Sequence, residues 1–403
     1  MPCRFDKEIG MEGRSNGLIE KGRGGEQRRA VLYQLLLVAV VSLLAWVLVR
    51  NTLDNLHARH IATGFDFLGR EASFGISEHL IDYAPTDSYF RAFLVGLLNT
   101  IAVALLGIAL ATPLGVVVGV ARLSANRLVS GCAGFYVELV RSLPLLLQLF
   151  FWYQLITESL PGPRQAIDLF HLLFISNRGL KLPAPLGTAD LTGMLLIVTL
   201  AVIASVLLAV WARRRREETG RPFPTFFAVT LLILGLPLLG YGVCGLRLSF
   251  EIPVLQGFNF SGGATVTPEF AALLMGLVIY TAAFIAEIVR AGIVAVPPGQ
   301  IEAALSLGLS RFLTLRLVLL PQSLRVIVPP LTSQYLNLTK NSTLAVAIGY
   351  PDLVSVANTA INQTGQAVEG VVIIMLVYLL VSLALSAAMN RYNQHITLPG
   401  RGR

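Results

Sequence analysis

Seven polar residues crowd one otherwise apolar stretch of the chain: Gln334, Asn337, Thr339, Lys340, Asn341, Ser342 and Thr343. Amides and hydroxyls donate and accept hydrogen bonds, so such a set can hold a zwitterion without the desolvation cost of a fixed charge. Gln334, Asn337 and Asn341 are three and four apart and fall on one face of a helix. Ser342 adjoins them, and Gln148, in another apolar stretch, is a candidate to face the same pathway. The competing reading is structural, since amides and hydroxyls also tie helices together inside a membrane. Two charged pairs, Glu138 with Arg141 and Glu287 with Arg290, are each three apart and share a helix face. Charges in a bilayer pair and face inward, so both read as ion pairs near span ends, with gating or substrate contact as the alternative.

Other chemistry is excluded by residue type and spacing. Cys3, Cys132 and Cys244 lie far apart, and neither a disulfide framework nor a metal spacing follows. His57 and His60 are a close pair without a cysteine or carboxylate cluster, which reads as a solvated loop and not as a metal site. A phosphate-cradling Walker A loop needs lysine directly after glycine. The four lysines, Lys7, Lys21, Lys181 and Lys340, follow other residues. No catalytic residue and no bound cofactor are expected of this chain, and nucleotide energy would have to arrive from elsewhere.

The elements that position these residues are set by composition. Hydrophobic residues make up 55% of the 403 and charged residues 13%, with a mean hydropathy of +0.70. Soluble domains carry roughly 25% charged residues. The apolar excess falls in runs near 31–49, 92–119, 132–157, 192–211, 225–245, 269–294, 326–347 and 368–389, each near the length needed to cross hydrocarbon as a helix. An all-α polytopic membrane protein of about eight transmembrane helices is the expectation. The polar, basic residues 1–30 lack a cleavable signal pattern, so 31–49 reads as a retained span.

Alternating the spans divides the Lys and Arg residues unevenly. One side holds 21, in both terminal segments, Arg122 and Arg127, the Arg213–Arg216 block with Arg221, and the region from Arg290 to Arg325; the other holds 8, with Arg141 and Lys340, within or at the ends of spans, left out. Cytoplasmic loops carry the positive excess, which places both termini in the cytoplasm and reads the net charge of +8 as topology. Nucleic-acid binding, the usual rival for a basic chain, does not suit charges so dispersed.

One cytoplasmic segment differs from the spans beside it. In GQIEAALSLGLSRFLTLRLVLLP, Gly299–Pro321, the preceding Pro297 and Pro298 with Gly299 form a turn, and Gln300–Leu307 are good helix formers. Gly308 is placed as the glycine that closes this helix and Ser310 as the N-cap of the next, which runs toward Pro321. A helix about 12 Å long is too short to stand alone and needs a partner surface. That surface is either the chain's own cytoplasmic face or another protein.

Glu302, Ala303, Ala304, Gly308, Val318, Leu320 and Pro321 together resemble the cytoplasmic EAA motif of ABC importer permeases, with valine where isoleucine is more usual. DSYFRAFLVGLLNT, ELVRSLPLLLQLFFWY, YTAAFIAEIVRAGIVAVPPGQ and LNLTKNSTLAVAIGYPDL resemble the polar amino acid subgroup, and the whole layout is similar to the larger permease subunit of general L-amino acid transporters. The resemblance implies a five-helix core within a transmembrane domain at 88–390. That domain would be interrupted by a 158–264 insertion with two extra helices, and preceded by a 1–30 tail and an extra helix at 31–49; 391–403 is a cytoplasmic tail. It also implies two ATPase subunits that use ATP and Mg, docked on the Glu302–Gly308 coupling helix. A second, related permease, a soluble substrate-binding protein and an amino acid substrate complete the expected partners, in a bacterial inner membrane and with no nucleic acid. A gradient-driven secondary transporter and a membrane scaffold are the rival classes.

Overall fold

The computed structural model describes residues 9–58, 63–186, 188–219, 223–243 and 249–396. Helices dominate. In chain order come α1 (Ile9–Ala58), α2 (Tyr89–Ala121), α3 (Arg127–Ser142) and α4 (Leu145–Ser159), then four short strands, β1 (Ile167–Leu169), β2 (Leu173–Ser176), β3 (Gly179–Leu182) and β4 (Ala184–Leu186). The helices α5 (Thr188–Thr219) and α6 (Thr225–Val243) separate these from β5 (Ser249–Glu251), β6 (Val254–Gln256), β7 (Asn259–Ser261) and β8 (Ala264–Val266). After them run α7 (Pro268–Val294), α8 (Pro298–Ser306), α9 (Arg311–Thr314), α10 (Leu320–Asn341), α11 (Leu353–Thr364) and α12 (Ala367–Ile396).

Among the described residues five helical stretches are long and apolar enough to cross a membrane: Val31–Thr52, Tyr89–Ala121, Pro268–Val294, Arg311–Ile348 and Ala367–Gln394. The runs predicted as spans at 192–211 and 225–245 fall in the helices α5 and α6, whose described apolar stretches, Leu196–Ala212 and Phe227–Gly240, are shorter than a crossing needs. The run 132–157 departs from the expectation of one straight helix. It is broken into α3 and α4, which meet at 105°. Pro144 has no N–H and drives the residue before it out of the helical region; Leu143 accordingly sits at φ −96°, ψ 132°.

The strands are a second departure from an all-helical expectation. They lie in and just after the predicted insertion, and each is three or four residues long. β1, β2, β3 and β8 form one antiparallel sheet, β4 pairs with β5, and β6 pairs with β7. The two halves of the insertion are thus joined across the α5–α6 hairpin, with Lys181 opposite Thr265 and Leu186 opposite Ser249.

Chain contacts divide the protein into a smaller unit, Met1–Leu68 with Ala360–Val371, and a larger one, Gly69–Thr359 with Val372–Arg403. In the smaller unit the Gly64 N–H donates to Glu369 Oε1 at 2.8 Å, and Gln366 Nε2 donates to the Gly64 carbonyl at 3.2 Å. In the larger unit α7 is the hub, packed by α2, α3, α4 and α10. One core cluster joins Val103 to Leu149, Leu273, Leu277 and Tyr350; another joins Ala111 to Ile285, Val289, Leu331 and Leu338.

The α2–α7 contact is close because α2 presents glycines to it. A Cβ on Gly115 would stand 2.6 Å from Ile285, and one on Gly119 2.7 Å from the Ala286 carbonyl oxygen. The backbones approach over a small-residue groove, as membrane helices do where lipid removes the hydrophobic drive to associate. Near the same end, Glu287 of α7 accepts from Arg290 Nη2 at 2.6 Å and also pairs with Arg122, the C-cap residue of α2.

Candidate coupling loop and translocation face

The segment after α7 folds as a short helix, an elbow and a second helix. α8 occupies Pro298–Ser306, with Pro297 as N-cap residue and Leu307 as C-cap. Gly308 follows at φ +78°, a conformation that glycine adopts without penalty. Its N–H donates to the Leu305 carbonyl at 2.9 Å, and the Leu309 N–H donates to the Ala304 carbonyl at 3.2 Å. This pair of bonds is a Schellman closure, which satisfies carbonyls that the helix end would leave open. Ser310 then caps α9, its Oγ accepting from the Leu313 N–H at 3.3 Å.

Between α9 and α10 the backbone widens into one π-helical turn, Leu315–Leu319, in which the Leu320 N–H reaches back five residues to the Leu315 carbonyl. Pro321 cannot supply the next bond of an α ladder, and the wider turn absorbs that loss. Of the motif residues, Glu302, Ala303 and Gly308 are exposed, Leu320 is 47% exposed, and Val318 and Pro321 are half-buried. Ala304 is buried, so its small side chain serves packing within this chain. Around the elbow Leu307 and Phe312 are 83% and 67% exposed, a large apolar surface for so short a segment. A cleft of about 310 Å³, lined by Ile301, Leu305, Arg311, Thr314, Leu315 and Leu319, lies between α8 and the following helix.

The polar stripe on α10 is open. Leu331, Tyr335 and Leu338 face the core, and Tyr335 Oη meets Thr112 Oγ1 at 2.9 Å. Asn337 is exposed, Gln334 and Asn341 are half-buried, and no side-chain hydrogen bond ties these three amides to another part of the described chain. Ser342 differs: it is fully buried and its Oγ donates to the Thr339 carbonyl at 2.8 Å.

One sequence assignment gains a structural role and another is corrected by the geometry. Gln148 is buried, and its Nε2 donates to the carbonyls of Val140 and Leu143 at 2.9 and 3.1 Å. It supplies donors to the end of α3, where the break at Pro144 removes helical ones. Glu138 and Arg141 are exposed and form no ion pair among the described residues; Arg141 instead lies over the Phe284 ring, 5.1 Å from its centroid. The Glu287–Arg290 pair is present, and Arg122 joins it.

Two residues absent from the sequence reading are Glu78 and Asp352. Asp352 is fully buried and opens α11, its Oδ1 accepting from the Ser355 N–H at 2.8 Å, while Oδ2 has no donor. Burial pushes its carboxyl up to about 7. The Pro351-Asp352 step before an apolar run was the readable sign of that helix start.

A polytopic helical protein with a helix-elbow segment between two membrane-crossing stretches is the architecture of a membrane transport component. Residues 111–397 match the family described as binding-protein-dependent transport system inner membrane component, and the chain belongs to that family. It is 51% identical to the putative amino-acid ABC transporter permease protein YhdX of Escherichia coli (strain K12), over 93% of this chain and 95% of that one. It is 46% identical to the general L-amino acid transport system permease protein AapQ of Rhizobium johnstonii, over 93% of each. The glutamate/glutamine/aspartate/asparagine transport system permease protein BztB of Rhodobacter capsulatus is 41% identical, over 93% of this chain and 95% of its own length. A permease subunit of the inner membrane, and not a gradient-driven carrier or a scaffold, is what this membership makes the chain.

Proposed function

We propose that this chain is one half of a paired pore that imports polar L-amino acids at the expense of ATP hydrolysed by separate subunits. The observation that carries the reading is α8: a helix too short to persist alone, closed by Gly308, bearing exposed Glu302 and Ala303, and set between two membrane-crossing stretches. Such a segment can receive a push from a docked ATPase, with ATP and Mg bound there, and transmit it through α7 and α10. Glu302, Ala303 and Gly308 make the contact; Val318, Leu320 and Pro321 set the angle of the outgoing helix. The relatives named above as amino acid permeases supply the substrate class.

Both termini lie in the cytoplasm, a soluble binding protein delivers substrate from outside, and a second, related permease closes the pore. The open α10 face with Gln334, Asn337 and Asn341 fits this arrangement. An uncovered polar stripe on a membrane-crossing helix needs a polar neighbour or a water-filled path. The 158–264 insertion and the 31–49 helix are additions to the five-helix core.

Reconstitution tests the reading. The chain, its companion permease and the ATPase in liposomes should import labelled L-amino acids only with both ATP and binding protein. Uptake that persists without ATP and collapses with an ion gradient would overturn it.

A further inference from the structure

A cleft of about 600 Å³ opens between the loop at 77–80, the outer half of α2, strand β8 and Tyr350. Its lining combines the Glu78 carboxylate with the hydroxyl-bearing Thr265, the Phe270 and Tyr350 rings, and apolar Ala102 and Leu106; among the described residues no lysine or arginine lines it. Asn99 makes the wall rigid. Its Nδ2 donates to the Glu78 carbonyl at 2.8 Å and to the Pro351 carbonyl at 2.9 Å, tying the loop to the chain before α11. The aromatic pair Phe270 and Tyr350 stands with centroids 5.8 Å apart. Glu78 Oε1 is shielded from water and has no hydrogen-bond partner.

We propose that this cleft is a binding site for the ammonium group of an amino acid on its way into the pore, with Glu78 as the counter-charge. This rests on the permease reading above, which puts the 77–80 loop on the extracytoplasmic side. A buried carboxylate oxygen without a donor is costly, and an alkylammonium supplies donors and charge together. Aromatic faces favour the same group. The apolar wall of Ala102 and Leu106 suits the organic part of such a ligand and not a hydrated inorganic cation.

The surrounding charges act in the same direction. Burial first, and then Glu269 of α7, push the Glu78 carboxyl up to about 7, while a hydrogen bond from the Thr267 backbone opposes them. Glu269 accepts from Tyr153 Oη of α4 at 3.1 Å. Asp352 and Glu78 both raise the Tyr350 phenol, whose shift is led by burial, and His79 is the one basic side chain in the lining among the described residues. Because the charged form of Glu78 is disfavoured in the empty cleft, ammonium binding strengthens as pH rises through about 7, where the carboxyl ionises.

The test uses the assembled importer in lipid nanodiscs, without binding protein, and radiolabelled methylammonium as probe. Saturable binding is expected that n-propylammonium displaces while propionate and potassium chloride do not. It should weaken as pH falls through about 7, approaching about tenfold per pH unit at lower pH, a readout that needs no variant. Glu78→Gln, assembled to the same size with its partners, should lose at least about tenfold in affinity and the pH dependence with it. No saturable binding, displacement by potassium as effective as by n-propylammonium, or unchanged binding in Glu78→Gln would overturn the site. Wild-type importer that moves amino acids with ATP yet fails these binding tests removes the cleft proposal alone. Absence of ATP-driven transport removes the permease reading beneath it.

Discussion

Gln148 marks the difference between what a residue's type announces and what its position makes of it. A buried glutamine in an apolar run reads equally well as a substrate ligand or as a partner for stranded backbone, because one amide has the donors for either. The break at Pro144 favours the second role by leaving the Val140 and Leu143 carbonyls within reach of Nε2. Replacing Gln148 with leucine, of similar size, should strip both carbonyls of this donor and cost ~1–3 kcal/mol. A lower thermal midpoint with unaltered substrate preference is expected; a changed preference at wild-type stability would return Gln148 to the pathway. Spacing also showed the Glu287–Arg290 pair, since it lies within one helix. Arg122 was not legible as its third member, because it reaches Glu287 only through the packing of α2 on α7.

At the scale of elements, periodicity and length revealed the helices but not their angles. The elbow after α8 was readable because glycine, serine and proline each impose a local geometry, and those geometries are set by nearest neighbours. Gly308→Val should place a β-branched residue at φ +78°, at a cost of roughly 1–2 kcal/mol. The chain should still insert, with ATPase docking weakened about tenfold and uptake reduced in proportion. Docking measured by co-purification and uptake in vesicles would check this; wild-type values for both would separate Gly308 from coupling. The α2–α7 groove makes a different demand. Gly115→Val should drive Ile285 and the α7 backbone away and destabilise the protein by ~1–3 kcal/mol, the usual range for overpacking. Thermal unfolding in detergent should show the loss, and adding Ile285→Ala should recover part of it if the collision is the cause.

For the whole molecule, proposed above as a five-helix core with additions, the structure bears on whether the largest addition is separable. The strands escaped the sequence reading because three or four residues are too few to display a period of two; their partners also lie far along the chain. Their register nevertheless defines how the insertion is joined to the core. β4 and β5 run antiparallel with Leu186 opposite Ser249, which is how the last and first residues of a two-residue β-hairpin stand. The helices α5 and α6 are therefore a helical hairpin set into the tip of a strand pair, and α5 packs chiefly against α6. Replacing residues 187–248 with Asn-Gly, the pair that suits a tight hairpin turn, should leave β4, β5 and the β3–β8 pairing in register. With α5 and α6 proposed to cross as a pair, their removal keeps the orientation of every later span, so α8 stays on the same side. The shortened protein should insert, hold its C-terminus in the cytoplasm by reporter fusion, and import amino acids with its partners. If the C-terminus inverts, α5 and α6 do not form a pair of crossings; if orientation holds and ATP-driven uptake vanishes, the helical hairpin belongs to the working pore and not to its periphery.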